Sequence, residues 1–348
     1  MSWEVLTMRS ATSFFNGAIA RSDLRRYWPV LFLYVGLWLI FLPIPVWNRA
    51  AERNPALVNL TELCADTYAT AVVLALIFGG MMAMASFSYL MNPRSVGAMH
   101  ALPQRRGTLF WTHFLTGWAM LAAGNLLLLA VTALAALLGG LALTPALLTW
   151  FVVATLLDLI FLALGTLCAM VTGWLLAIPV IYAGVNFLFA AFYLLYSAIT
   201  QIFCWGYEAS GWPGWLDWLT PTVRLLWQVT DNKAVLYGLN DRGFRCYVDR
   251  LSSGAWTTLA VYLAVAVLLA AVAYCFYRAR HSETAGDAIV FPWLRPVVLY
   301  VIALAGGMGL GILLWYMISA AKGLAALLVY QIISGLIVYF GVQMLLHK

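Results

Sequence analysis

Long apolar runs, each bounded by a short cluster of charged, Gly or Pro residues, recur from Tyr27 to the carboxyl end of the chain. Eight of them reach about the 20 residues that an α-helix needs to cross hydrocarbon. They predict membrane spans at 27–46, 67–91, 109–138, 146–172, 174–203, 256–277, 297–319 and 324–346. The first is expected to stop at the Pro43-Ile44-Pro45 breaker. Short alternating segments, which barrel strands would need, do not occur. The expected architecture is all-α and integral to a membrane: a segment 1–26, a six-helix core 27–277 containing a long polar loop 204–255, a loop 278–296, and two further helices in 297–348.

Composition removes the soluble alternative. Apolar residues make up 64% of the chain, charged residues 9%, and mean hydropathy is +0.92. A water-facing surface normally takes roughly 25% charged residues. Only helices that bond their own backbone are then viable in lipid. A cleaved leader is not expected, because 26 residues precede the first run and no small-residue cleavage site follows it.

The charges fall asymmetrically. With the amino terminus inside, the inside segments hold eleven cations against four acids, and the outside segments eight against eight. The predicted orientation therefore places both termini in the cytoplasm, and the pI of 9.1 reflects topology, not nucleic-acid binding. Thr12–Trp28 sets Phe14, Phe15, Ala18 and Ile19 on one helical face and Arg21, Arg25 and Arg26 on another. It reads as a helix lying among headgroups, or as a cytoplasmic run-in whose arginines only fix orientation.

Two inside loops carry distinctive residues. In 92–108, Arg94, His100, Arg105 and Arg106 surround Ser95–Leu102, long enough for two helical turns and closed by Pro103. This is either a helix able to dock on a soluble partner or a solvated connector. In 278–296, mixed charge surrounds an apolar Ile289-Val290-Phe291 patch. The outer loop 204–255 carries five acids, five cations and five Trp, as expected of an interfacial aromatic belt or of a re-entrant gate. Cys204 and Cys246 flank it and are placed to form a disulfide in an oxidising exterior, a pairing that sequence alone leaves open.

Catalytic chemistry is nearly absent. There is no His-Glu-x-x-His, Cys-x-x-Cys, Gly-x-Ser-x-Gly or phosphate-binding Gly-x-x-x-x-Gly-Lys-Ser/Thr motif. Asp158 is the single acid at membrane depth, a functional candidate by default. With Thr155 one turn back, it also reads as a protonated group joining helices. His113 and Asn125 read as packing and hydrogen-bonding residues, and Gly306, Gly307, Gly309 and Gly311 as a surface for close helix packing. No metal site is expected.

The string Phe87–Asn92, followed by Arg94, by His100-Ala101-Leu102-Pro103-Gln104-Arg105-Arg106 and by Leu109-Phe110, resembles the first intracellular loop of type-two ABC exporter permeases common in Gram-positive bacteria. Arg278, Glu283, Ala285-Gly286 and Val290-Phe291 are similar to the loop after the sixth span of such permeases. Ser13-Phe14-Phe15, Leu24–Trp28 and the long loop between spans five and six fit as well. Similar chains often continue past the position of Lys348, which leaves the last two spans without an assigned role.

The resemblance implies the membrane-spanning permease subunit of an ATP-driven exporter in a bacterial plasma membrane. Its partners would be cytosolic ABC ATPase subunits, a second permease copy or paralogue, and membrane lipids, with no nucleic acid. ATP and Mg would sit on the ATPase, and this chain would be non-catalytic and bind no cofactor. Ser95–Leu102 would be the coupling helix, contacting the ATPase through Arg94, Val96, Met99, His100, Leu102, Arg105 and Arg106. The second loop would contribute Glu283, Asp287 and Phe291. A standalone secondary transporter or channel is the alternative and would bring more intramembrane polar groups or an inverted repeat. An intramembrane enzyme would bring clustered His, Glu or Asp.

Overall fold

The computed structural model describes residues 15–51, 59–101, 104–204, 206, 212–230, 235–239, 245–248, 251–281, 284–318 and 323–346, without the side chains of His100, Leu346 and the two short strands. Among the described residues, eight helical segments are long and apolar enough to cross a membrane, so the chain is a multi-pass membrane protein. The first segment is α1 (Gly17–Phe41) followed by α2 (Pro43–Ala50). A short α3 (Leu60–Asp66) leads into α4 (Tyr68–Phe87), which tightens into a 3-10 turn, Ser88–Met91. Then come α5 (Pro93–His100), α6 (Arg106–Leu138), α7 (Ala146–Val171) and α8 (Ala177–Phe203). The polar loop holds α9 (Gly214–Leu219), α10 (Pro221–Thr230) and an antiparallel hairpin of β1 (Val235–Leu239) and β2 (Arg245–Val248). Three long helices complete the chain: α11 (Ser253–Ala279), α12 (Leu294–Ile318) and α13 (Leu324–Leu346).

Two expectations need refinement. The Pro43-Ile44-Pro45 breaker does interrupt the first span, at Leu42, but Pro43 then occupies the first position of a new helix. Proline lacks only an N–H that has no partner there, so the breaker restarts the helix. Residues 17–28 continue into the first span as one helix, with Pro29 inside it. The N-terminal stretch is capped by Asn16, whose side chain accepts from the Ala18 and Ile19 amides, and the Asn16 amide donates to Thr112 Oγ1 on α6 at 3.0 Å. Residues 1–14 lie outside the described set.

The core is built on α4 and α7, the two most buried spans. Their backbones come close because small residues face each other. A Cβ on Gly79 would sit 2.8 Å from Phe161 Cβ and 2.9 Å from the Leu162 nitrogen, and one on Gly165 would sit 2.9 Å from Ala83 Cβ. Lipid supplies little hydrophobic force between helices, so such close packing carries the association. Helices α1 and α6 cover one side of this pair, with Trp38 against Trp150 at 4.9 Å between ring centroids, while α11 lies along α7.

Helices α12 and α13 form a hairpin of their own. A Cβ on Gly307 would lie 2.8 Å from Gly335 Cα, one on Gly311 would lie 2.8 Å from Gln331 Cα, and Ser334 Oγ donates toward Gly307 O at 2.8 Å. Gly306 faces Val338, as the small-residue reading expects, whereas Gly309 turns to Leu195 on α8, the helix through which the hairpin meets the core.

Gly79→Val places a methyl pair against the backbone of α7, which cannot give, so it is expected to destabilise the fold by about 1–3 kcal/mol. Thermal unfolding in detergent should show a lowered midpoint. Gly36→Ala, whose Cβ meets nothing within 4 Å, is the matched control and should leave the midpoint in place.

Candidate functional site

Chain reversals bring the ends of α4, α7 and α11 and the starts of α6, α8 and α12 to one end of the bundle, which is rich in arginine. Here Asn92 opens α5 by accepting from the Arg94 amide at 3.0 Å, and Pro93 takes the first helical position. That Asn-Pro pair starts the helix two residues earlier than the predicted Ser95–Leu102. Arg94, Gly97, Ala98, Ala101 and Arg105 are exposed, while Val96 is buried and Met99 packs partly buried on the core. The apolar residues of α5 thus fasten it to the bundle, and its outward face is small and cationic. Leu102, Pro103 and the His100 side chain lie outside the described set.

The loop after α11 is stitched to the same end. Arg280, only 5% exposed, donates from Nη1 to Ala169 O (3.3 Å) and Thr172 O (2.9 Å), and from Nη2 to Leu90 O (2.9 Å). These carbonyls end α7 and the 3-10 turn after α4, where helices leave acceptors unmet and the dipole favours a cation. Burial pulls the guanidinium down to about 10, so it is still charged at neutral pH. Arg106, at the start of α6, donates toward Arg278 O (3.2 Å) and Arg280 O (3.4 Å). Backbone bonds complete the seam: Gly173 N to Asp287 O, Gly286 N to Gly173 O, and Val290 N to Val171 O. The Ile289-Val290-Phe291 patch is consequently not a free surface. Ile289 and Val290 are buried, and Phe291 packs on Phe276 at 4.9 Å. Asp287 accepts from Arg295 at 3.4 Å, and Glu283 lies outside the described set.

Two polar groups sit deeper. Asp23 on α1 meets His113 Nδ1 on α6 at 2.6 Å, and the ring of Tyr89 covers the imidazole at 5.0 Å. Asp158 lies fully buried on α7, with partners other than the expected Thr155. Its Oδ2 is 2.9 Å from Tyr34 Oη on α1 and 2.8 Å from Asn125 Nδ2 on α6. Tyr34 Oη is also 2.7 Å from Asn125 Oδ1, and Thr155 Oγ1 accepts from Asn125 at 3.3 Å. Tyr34 has one hydrogen for two short oxygen contacts. Whichever way the Asn125 amide is turned, all three contacts become hydrogen bonds only if Asp158 carries a proton on Oδ2. Its Oδ1 has no partner among the described residues. The cluster ties α1, α6 and α7 together as a neutral unit.

At the far end, α9 and α10 form a wedge between α4, α8 and α11. Thr222, at the tip, donates to Asn186 Oδ1 at 2.9 Å. Asn186 lies 17 residues from the end of α8 at Phe203, so the tip reaches roughly 25 Å inward at 1.5 Å per residue. Within the wedge Asp217 pairs with Arg224 at 3.3 Å, and the guanidinium stacks over Trp218 at 4.6 Å. Tyr262 Oη donates to Trp218 O at 3.0 Å. Cys204 is exposed with a free thiol, and the Cys246 side chain is not among those described. On the other half of α4, an apolar groove of about 280 Å³ opens against α8, lined by Leu76, Ile77, Gly80, Met81, Tyr182 and Phe187.

No protein-family model matches the chain, and no curated protein sequence does. Among the described residues there is no group of three or more His, Cys, Asp or Glu side chains able to hold a metal ion.

Asp158→Asn retains two of the three contacts in the cluster and is expected to cost about 1 kcal/mol. Asp158→Leu removes the oxygen that Tyr34 and Asn125 share, leaving them only each other and Thr155, and is expected to cost about 1–3 kcal/mol more than Asp158→Asn. Unfolding midpoints of the two variants in the same detergent check the order. Equal losses would show that the carboxyl group is needed as a charge.

Proposed function

We propose that this chain is the permease subunit of an ATP-driven ABC exporter, with its arginine-rich end in the cytoplasm and α5 as the helix on which a separate ATPase docks. The observation that carries the reading is α5 itself. It is a capped, two-turn helix held at the end of the bundle by Val96 and Met99, with Arg94, Gly97, Ala98 and Arg105 turned outward. A wet connector has no need of buried anchors and a formed helix. The excess of arginine at that end supports the cytoplasmic orientation. The wedge of α9 and α10, entering from the opposite end, then acts as the outer closure of the path. The apolar groove between α4 and α8 takes the hydrophobic part of a cargo. ATP hydrolysis belongs to the partner, and no residue of this chain is assigned a catalytic role.

The contact set differs from the one the resemblance implies. Val96 and Met99 serve as anchors, so the ATPase meets Arg94, Gly97, Ala98 and Arg105. Arg106 is exposed beside this face and also bonds the carbonyls after α11.

A Cβ on Gly97 meets nothing within 4 Å, so this position tolerates a side chain without refolding. The pair Gly97→Asp and Ala98→Asp puts two acids on the docking face and is expected to lower ATPase retention on the purified complex at least about tenfold. Insertion and unfolding midpoint should not change. Retention of the ATPase by this variant removes the docking assignment.

Orientation has its own check, in a background lacking native cysteines. Gln104→Cys should resist an impermeant thiol reagent in intact cells, and Asn59→Cys should label. Labelling at position 104 from outside inverts the orientation.

A further inference from the structure

The guanidinium of Arg280 ties the ends of three spans together. It is carried by the residue that follows α11, and it binds Ala169 O and Thr172 O at the end of α7 and Leu90 O at the end of the α4 segment. Leu90 lies two residues before the Asn92 cap of α5. We propose that Arg280 is a positioning residue that transmits displacement of α5 to α7 and α11. The proposal rests on the exporter reading and deepens it, by naming the joint between the docking helix and the core.

Three features favour a joint over a simple prop. The bonds from Arg280 run to backbone carbonyls, so they hold the helix ends directly and do not depend on the rotamer of another side chain. The group is sealed from water, where a charge-assisted bond is strongest and slippage leaves a charge unpaired. The flanking seam is tight as well. A Cβ on Gly173 would fall 2.1 Å from Thr284 O, so the segment after α7 has no room to slide against the loop after α11. Leu90 O is reached by Nη2, and Tyr89 beside it donates to Tyr277 Oη on α11 at 3.0 Å, so the turn that carries α5 is held to α11 as well.

At the other end of α11, Tyr262 holds the wedge through Trp218 O. A tilt of α11 about Arg280 therefore moves α9 and α10. Val229, buried at the outer end of α10, is a natural reporter.

The test uses the full chain, tagged in its own host, in a cysteine-free background carrying Val229→Cys. Right-side-out vesicles are loaded with Mg-ATP and orthovanadate or with Mg-ADP, and an impermeant maleimide is applied outside. With Arg280 intact, the two nucleotide states are expected to differ in labelling rate by about fivefold or more, the range of ordinary coupling between sites. In Arg280→Gln the ratio should fall to near one while the ATPase still co-purifies. Arg280→Lys keeps the charge but gathers its donors on one nitrogen, and its ratio should fall between those of the parent and Arg280→Gln.

A full nucleotide response in Arg280→Gln overturns the proposal. So does loss of the ATPase from both variants, or aggregation of both, because Arg280 would then only support the docking surface or the fold. Absence of any ATPase on the parent chain overturns the exporter reading itself, and the joint falls with it; loss confined to the variants leaves that reading intact.

Discussion

A polypeptide in hydrocarbon has no water to accept the hydrogen bonds that its backbone offers, so every N–H and C=O must find a partner within the protein. The interiors of the eight long helices meet that demand by themselves. Their ends do not, and much of this structure is a response to the ends. At the arginine-rich face the open carbonyls of α4, α7 and α11 would each leave acceptors unsatisfied. Arg280 and Arg106 supply charged donors to them, and the 284–290 segment adds backbone bonds to residues 171–173. The arginines whose excess at this end predicts the orientation therefore also finish the helices.

Polar side chains inside the bundle follow the same rule. Asp23 with His113, and Asp158 with Tyr34 and Asn125, join helices by bonds that no solvent competes for. Their placement differs in a useful way. The Asp23–His113 pair lies near the arginine-rich end and fixes the start of α1 to α6, whereas the Asp158 cluster fixes the same two helices to α7 further in. Together they make α1, α6 and α7 one body. Outside that body lie α10, packed on α4 and α11 through buried Leu225 and Val229 and bonded at its tip by Thr222, and the α12–α13 hairpin, which meets the core through α8.

The spans themselves were legible in the sequence, because a run of about 20 apolar residues has few other fates. Most predicted boundaries fall within three residues of the observed helices. The exceptions come from Pro43, which begins a helix where it was expected to end one, and from residues 17–26, which join the first span. The polar sites were legible only by half. Asp158 stood out as a lone acid, but Tyr34 passed as one more aromatic in an apolar run, and its pairing spans 124 residues of sequence. In the sequence, Arg280 is simply one of the eleven cations of the inside segments. A signal was present: an Arg directly after an apolar helix can turn back to cap helix ends. Which ends it meets depends on the packing of α4, α7 and α11, which a single sequence does not encode visibly. Asp217 and Arg224, seven residues apart, were hidden for the same reason, since the loop holding them has no apolar period long enough to announce a wedge.

A docking helix has to satisfy opposing demands. It must expose a face for its partner, yet hold to the membrane bundle firmly enough that a push on the face moves the bundle and not just the helix. An exposed apolar face would favour binding but would loosen the hold, because the same residues cannot be both anchor and contact. In the exporter reading, helix α5 divides this work along its sequence. Val96 and Met99, three apart and so on one side of the helix, face inward, while Gly97 and Ala98 keep the outer side flat. Arg94 and Arg105 flank that flat face with charge, where long side chains steer an approaching partner without filling the contact. In the exporter reading, force then enters at residues of small volume and leaves through the backbone at Leu90, the carbonyl that Arg280 holds. Small contact residues and a backbone exit make the path short and stiff, a property that a loop of similar composition without the Asn92 cap and the two buried anchors would lack.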